Sequence, residues 1–140
     1  FVTAFYGILN IETGELSYCD AGHPPPYLLT EDGTITKIPK DKGIALGVLD
    51  EFQVKESLYV QKTIQLKNND TLILYTDGVT EAINTNREVY PESRFTSILK
   101  EHGHGKFPDL IKLIYTDIAS FSKGSNQYDD ITLLCLRWKK

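Results

Sequence analysis

Nothing in this sequence approaches the ~20 consecutive apolar residues that a membrane-crossing helix needs, and no charged-then-apolar leader opens it. The expectation is a soluble, cytoplasmic protein with no membrane contact in this segment. An excess of charge of one sign is also lacking: 15 Lys and Arg stand interspersed with 19 Asp and Glu, for a net charge of −4. Such a surface offers no basic field to nucleic acid or to an anionic bilayer. Cysteine is scarce, with only Cys19 and Cys135, each inside an apolar strand-like run. That argues against a disulfide framework and a paired-cysteine metal site, and makes both thiols small hydrophobes of a core. Internal repeats and low-complexity segments are absent too. The composition, 41% hydrophobic and 24% charged, argues against disorder and suits one globular domain over residues 1–140.

What is there begins with "FVTAFYGILN", a core-like strand without an initiator Met, so an N-terminal part is expected to precede it. Thr13-Gly14 and Asp32-Gly33 each sit between apolar runs and read as hairpin turns. The run "LYVQKTIQL" alternates, with Leu58, Val60, Ile64 and Leu66 apolar, and the turn "KNND" leads from it into the strand "TLILYT". A polar break and the helical candidate "RFTSILKE" follow, stopped by the Gly-rich "HGHGK". From Pro108 the period changes, because Leu110, Ile114, Ile118 and Phe121 recur at three- and four-residue spacing. This predicts an amphipathic helix with proline near its first turn. The chain closes on the β-branched and apolar "ITLLCLRW". Strands flanking a late helical segment predict an α+β fold with helices on a mainly antiparallel sheet.

Two loops then draw the chemistry. Asp77 follows one very apolar strand, and Asp129-Asp130 precede another. If the strands are neighbours, the acids converge. Converging carboxylates repel unless they share a proton or a cation, and hard oxygen ligands suit Mg²⁺ or Mn²⁺ better than Zn²⁺. A hydrated divalent ion of that kind serves phosphate-ester hydrolysis. The plainer reading is that Asp-Gly is a common turn and that each Asp only accepts local backbone N–H groups.

Four segments in order, "DAGHPPPYLL", "GIALGV", "DTLILYTDGVTEAIN" and "QYDDITLLCL", resemble the metal-dependent protein phosphatase family (PPM, or protein phosphatase type 2C), and most closely its bacterial SpoIIE/RsbU-like branch. The resemblance spans nearly the whole chain. It implies an antiparallel β-sandwich with flanking helices (αββα) and a binuclear Mn²⁺ or Mg²⁺ centre in the complete domain. It also implies serine/threonine phosphatase activity on a phosphorylated regulatory protein of the anti-sigma-factor-antagonist type. Position by position, Asp77 and Asp129 match the family's metal ligands, and Gly78 would let the backbone turn beside the ion. Asp130 matches a residue that braces the loop. His23, in "AGHPPP", would lie near the same mouth, as a contact to an outer ion or phosphate or simply as part of a proline-stiffened loop.

Two departures stand out. The branch commonly has Asn where Asp20 stands, and a Gly-Asp segment whose carboxylate bridges the two metals is absent upstream of "FVTAFYG". The alternative to an enzyme is therefore a non-catalytic interaction module, inactive as these residues alone and prone to self-association through uncovered edges and faces. A nucleophilic triad from Cys135 with His102 or His104 is disfavoured by the apolar strand around the thiol. The pair His102 and His104 reads as a helix-terminating loop for want of further ligands.

Overall fold

A computed structural model describes residues 1–40, 43–50, 58–125 and 129–140. Residues 41–42, 51–57 and 126–128 lie outside the described residues, and with them part of the segment "QYDDITLLCL". Strands β1 (Ala4–Leu9), β2 (Glu15–Ala21), β3 (Tyr27–Leu29), β4 (Ile35–Lys37), β5 (Lys62–Gln65) and β6 (Thr71–Tyr75) come first. Helices α1 (Asp77–Thr80), α2 (Glu92–His102) and α3 (Phe107–Phe121) follow, and β7 (Leu133–Arg137) ends the series. All strand pairs are antiparallel, in a three-stranded sheet ordered β1-β2-β5 and a four-stranded sheet ordered β4-β3-β6-β7.

The period-2 rule explains how the layers meet. On β6, Leu72 and Leu74 point one way and join Leu28 and Leu136 against Leu16, Tyr18, Phe5 and Ile64 of the three-stranded sheet. Ile73 and Tyr75 point the other way, into a second cluster with Phe95 and Leu99 of α2 and with Leu110, Ile114 and Ile118 of α3. A strand buried on both faces has no need of polar alternation, which is why "LILY" is continuously apolar. The helix stripe read from Leu110, Ile114 and Ile118 is the face that α3 buries. Both long helices cover the four-stranded sheet. Among the described residues no helix covers the outer face of β1-β2-β5, where Tyr6 and Ile8 are 67% and 61% exposed. The fourth layer of an αββα sandwich is thus not supplied by these residues.

Some local expectations shift in detail. The alternating run 58–66 forms a ladder only over Lys62–Gln65, opposite Glu15–Tyr18 of β2. Cys19 and Cys135 are half-buried rather than fully buried, and burial pushes the Cys135 thiol up to about 11. A thiol so raised is a poor nucleophile at neutral pH. No described helix is long and apolar enough to cross a membrane.

Two carboxylates fasten α2. Glu92 accepts from the Tyr27 hydroxyl at 2.5 Å and pairs with Lys37 Nζ at 2.8 Å. Asp117 on α3 accepts from the Tyr90 hydroxyl at 2.6 Å and from Arg94 Nε and Nη2 at 2.6 and 2.7 Å. The Lys37 and Tyr27 hydrogen bonds hold the Glu92 carboxyl below its ordinary value. Burial opposes charge on Asp117, yet its Arg94 and Tyr90 donors outweigh that and lower it as well. Groups lowered in the folded state stabilise it above the ordinary carboxylate range of ~4, and that contribution is lost as pH falls below it. Asp117→Asn in the complete protein should therefore cost roughly 1–3 kcal/mol at neutral pH, the scale of hydrogen bonds to a charged group. It should also flatten the acid side of a pH-melting profile. An unchanged acid limb would show that Asp117 does not carry this linkage.

Candidate metal centre

The two acidic loops meet because β6 and β7 are partners. Their ladder runs from Thr71↔Arg137 to Tyr75↔Leu133, so the end of β6 and the start of β7 share one edge of the sheet. One residue further, Thr76 extends the pairing with its side chain as well as its backbone. Its N–H donates to the Thr132 carbonyl at 3.1 Å, its hydroxyl donates to the Asp130 carbonyl at 2.9 Å, and it accepts the Thr132 N–H at 2.9 Å.

Asp77 then starts the single-turn helix α1, closed by the Glu81 N–H donating to the Asp77 carbonyl at 2.7 Å. Val79, fully buried, anchors that turn in the core beside Tyr75 and Phe95. Asp77 is left exposed, as are Asp129 and Asp130. Between the acids Gly78 lies so close to the second loop that a Cβ there would stand 2.5 Å from the Asp130 carbonyl oxygen and 3.2 Å from that of Asp129. Glycine is required here by contact with another backbone, not by a left-handed φ.

Each Asp also makes the local bond that an Asp-Gly or Asp-Asp turn allows. Asp77 Oδ1 accepts the Gly78 N–H at 3.1 Å, and Asp129 Oδ1 accepts the Asp130 N–H at 2.7 Å. These bonds engage Oδ1 of each carboxylate and fix its side chain. The resulting donor set consists of hard oxygens on two abutting loops, which fits Mg²⁺ or Mn²⁺ in type. It is incomplete in number. Among the described residues no group of three or more His, Cys, Asp or Glu comes together to hold a metal ion.

His23 is placed differently. The register Tyr27↔Ile73 and Leu29↔Thr71 sets the loop before β3 toward the end of the sheet where Asp77 stands. Within that loop the His23 N–H donates to Asp20 Oδ1 at 2.9 Å, and its Nδ1 lies 3.3 Å from the Thr3 hydroxyl. No described hydrogen bond joins His23 to Asp77 or Asp129. Asp20 itself is buried, and its Oδ2 has no partner among the described residues. An Asn there would keep the acceptor for His23.

Sequence reasoning missed two features of this end of the fold. One is Thr76, whose hydroxyl joins the loops; its only signal is a hydroxyl residue just before the Asp. The other is a hollow of about 320 Å³ bordered by Gly78 and Asp129 and walled by α3. Tyr115 and Ala119, next to the core stripe at Ile114 and Ile118, were its sequence signal.

Comparison with known proteins agrees with this architecture. The family model described as stage II sporulation protein E (SpoIIE) matches residues 1–139. Protein IcfG of Synechocystis is 30% identical over 136 residues, covering 97% of this chain and 20% of that protein. Phosphoserine phosphatase RsbU of Bacillus subtilis is 27% identical over 139 residues, covering 99% of this chain and 39% of that one. The chain therefore spans well under half the length of these relatives. Among solved structures, the Mn-presoaked phosphatase domain of the cell fate determinant SpoIIE from Bacillus subtilis superposes with a TM-score of 0.72. That likeness, at 17% identity, covers 98% of this chain and 56% of the other and concerns the fold.

Proposed function

The chain belongs to the SpoIIE family of PP2C-type phosphatase domains, and from that premise we propose that the complete protein hydrolyses phosphoserine or phosphothreonine on a regulatory phosphoprotein. Asp77 and Asp129 are its metal-holding carboxylates. The observation that carries this reading is the contact of Gly78 with the Asp129–Asp130 backbone, which brings both acidic loops to one place.

When bound there, Mn²⁺ or Mg²⁺ supplies water of lowered pKa and neutralises charge on the phosphoryl oxygens. The chain's own residues set the geometry. Asp77 and Asp129 supply anionic oxygens, each oriented by the next residue's N–H. The Thr76 hydroxyl and the Asp130 backbone hold the loop spacing. His23, at the same end of the sheet, is available to a phosphate oxygen. The proposed substrate is of the anti-sigma-factor-antagonist type and the proposed place of action is the cytoplasm; relatives named phosphoserine phosphatases support the phosphoserine chemistry.

A second reading has its own observation. Among the described residues only two acidic loops converge and no group of three ligands forms, which favours an interaction module that, as an isolated piece, self-associates through the exposed Tyr6 and Ile8 face. A phosphatase assay on the complete protein separates the two. Turnover of a phosphoserine protein and of p-nitrophenyl phosphate that needs Mn²⁺ and stops with EDTA is the expected result. No turnover under any divalent ion would leave the module reading standing.

A further inference from the structure

The hollow beside Asp129 has about 320 Å³ of space, at the lower end of sizes that hold a ligand group. Its walls are mostly apolar: Ala82 and Ile83 after α1, Ile118, Ala119 and the exposed Tyr115 on α3, and Ile131 ahead of β7, with the Tyr115 hydroxyl as a polar tip. Ser122 also lines it, but its hydroxyl already donates to the Ile118 carbonyl at 2.8 Å, so that wall offers little to a polar guest. The charged groups stand at the rim, and Glu81 and Asp129 are both acidic. With Asp129 engaged by a cation, Glu81 still disfavours an acidic guest there by like charge. Most telling is continuity: Gly78 and Asp129 border the hollow and also belong to the paired acidic loops. Whatever fills the hollow lies beside the loops that would hold the metal acting on the phosphate.

We propose that this hollow is a specificity pocket that takes an uncharged apolar side chain of the phosphoprotein, immediately beside its phosphorylated residue; this rests on the phosphatase reading above. The pocket selects substrates by shape and apolarity, while the acidic loops act on the phosphate common to all of them. Desolvating an apolar side chain in such a cavity discriminates against its truncation by roughly 10–200-fold in kcat/KM.

The test uses the complete protein and synthetic phosphoserine heptapeptides of Gly and Ser that carry Leu, Ala or Glu at either position flanking the phosphoserine. The readout is the ratio of kcat/KM between Leu and Ala peptides within each enzyme, which a general loss of rate does not move. For the unaltered protein the ratio should be about tenfold or more at one flanking position, with Glu the poorest there. Ala119 is exposed on α3 and lines the hollow, so Ala119→Phe should fill the space and bring the ratio close to one. Ala119→Val, a smaller intrusion less prone to disturb folding, should give an intermediate ratio. Equal rates for Leu and Ala peptides in the unaltered protein, or a Leu preference that survives these substitutions, would overturn the proposal. Failure of the phosphatase reading looks different, because neither the peptides nor p-nitrophenyl phosphate would then be hydrolysed.

Discussion

Asp77→Asn in the complete protein is expected to lower Mn²⁺-supported turnover of p-nitrophenyl phosphate by at least about 10²-fold, because groups that only orient a ligand already cost 10–100-fold when lost. The substitution keeps the side chain's shape and its Oδ1 acceptor for the Gly78 N–H, while it removes the charge and replaces the second oxygen by an NH2 group that cannot ligate a cation. Since Asp77 is exposed and Val79 carries the burial of that turn, the melting temperature should stay close to that of the unaltered protein. Asp129→Asn should behave alike. The double substitution should be little worse than either alone, since residues acting as a unit are not additive. Undiminished hydrolysis by Asp77→Asn would remove this carboxylate from the chemistry.

Gly78→Ala should be nearly as severe, for a steric reason. A Cβ 2.5 Å from the Asp130 carbonyl oxygen meets backbone, and no side-chain rotation can relieve it. That carbonyl is also held by the Thr76 hydroxyl, so the collision either breaks this bond or tilts α1. Overpacking of this kind costs about 1–3 kcal/mol of stability. The larger consequence is separation of Asp77 from Asp129, since a displacement of ~1 Å in a positioned site can cost ~10²-fold in rate. Calorimetry should show Mn²⁺ binding weakened along with turnover. Wild-type affinity in Gly78→Ala would mean that the two loops do not act on one ion.

The parts of the fold legible in the sequence are those where one period dominates. The α3 stripe and the continuously apolar "LILY" announced themselves because α3 buries one face against the sheet and β6 buries both, one on the second sheet and one on the helices. The Asp32-Gly33 hairpin was legible because its chemistry is local: Asp32 Oδ1 accepts from the Thr30 hydroxyl and the Thr34 N–H, and Gly33 takes a φ of +84°. Strand β5 was read too long, since Leu58 and Val60 alternate correctly yet have no ladder partner in the described residues. Long-range polar contacts such as Arg94 with Asp117, 23 residues apart, leave no periodic trace. The same holds for the site. Each acid was visible as a carboxylate at a strand end, but their adjacency depends on β6 pairing with β7 across more than fifty residues, so the residues gave it only as a condition and the resemblance to a family implied it. The αββα layering belongs to the complete domain, and the described residues supply its two sheets and the helices on one of them.

The most direct test of the paired-carboxylate claim is a crystal structure of the complete domain soaked in Mn²⁺. One ion should be bound by carboxylate oxygens of both Asp77 and Asp129, at the ~2.0–2.6 Å distances of hard cations. Anomalous density for Mn²⁺ at a place that touches neither residue would contradict it.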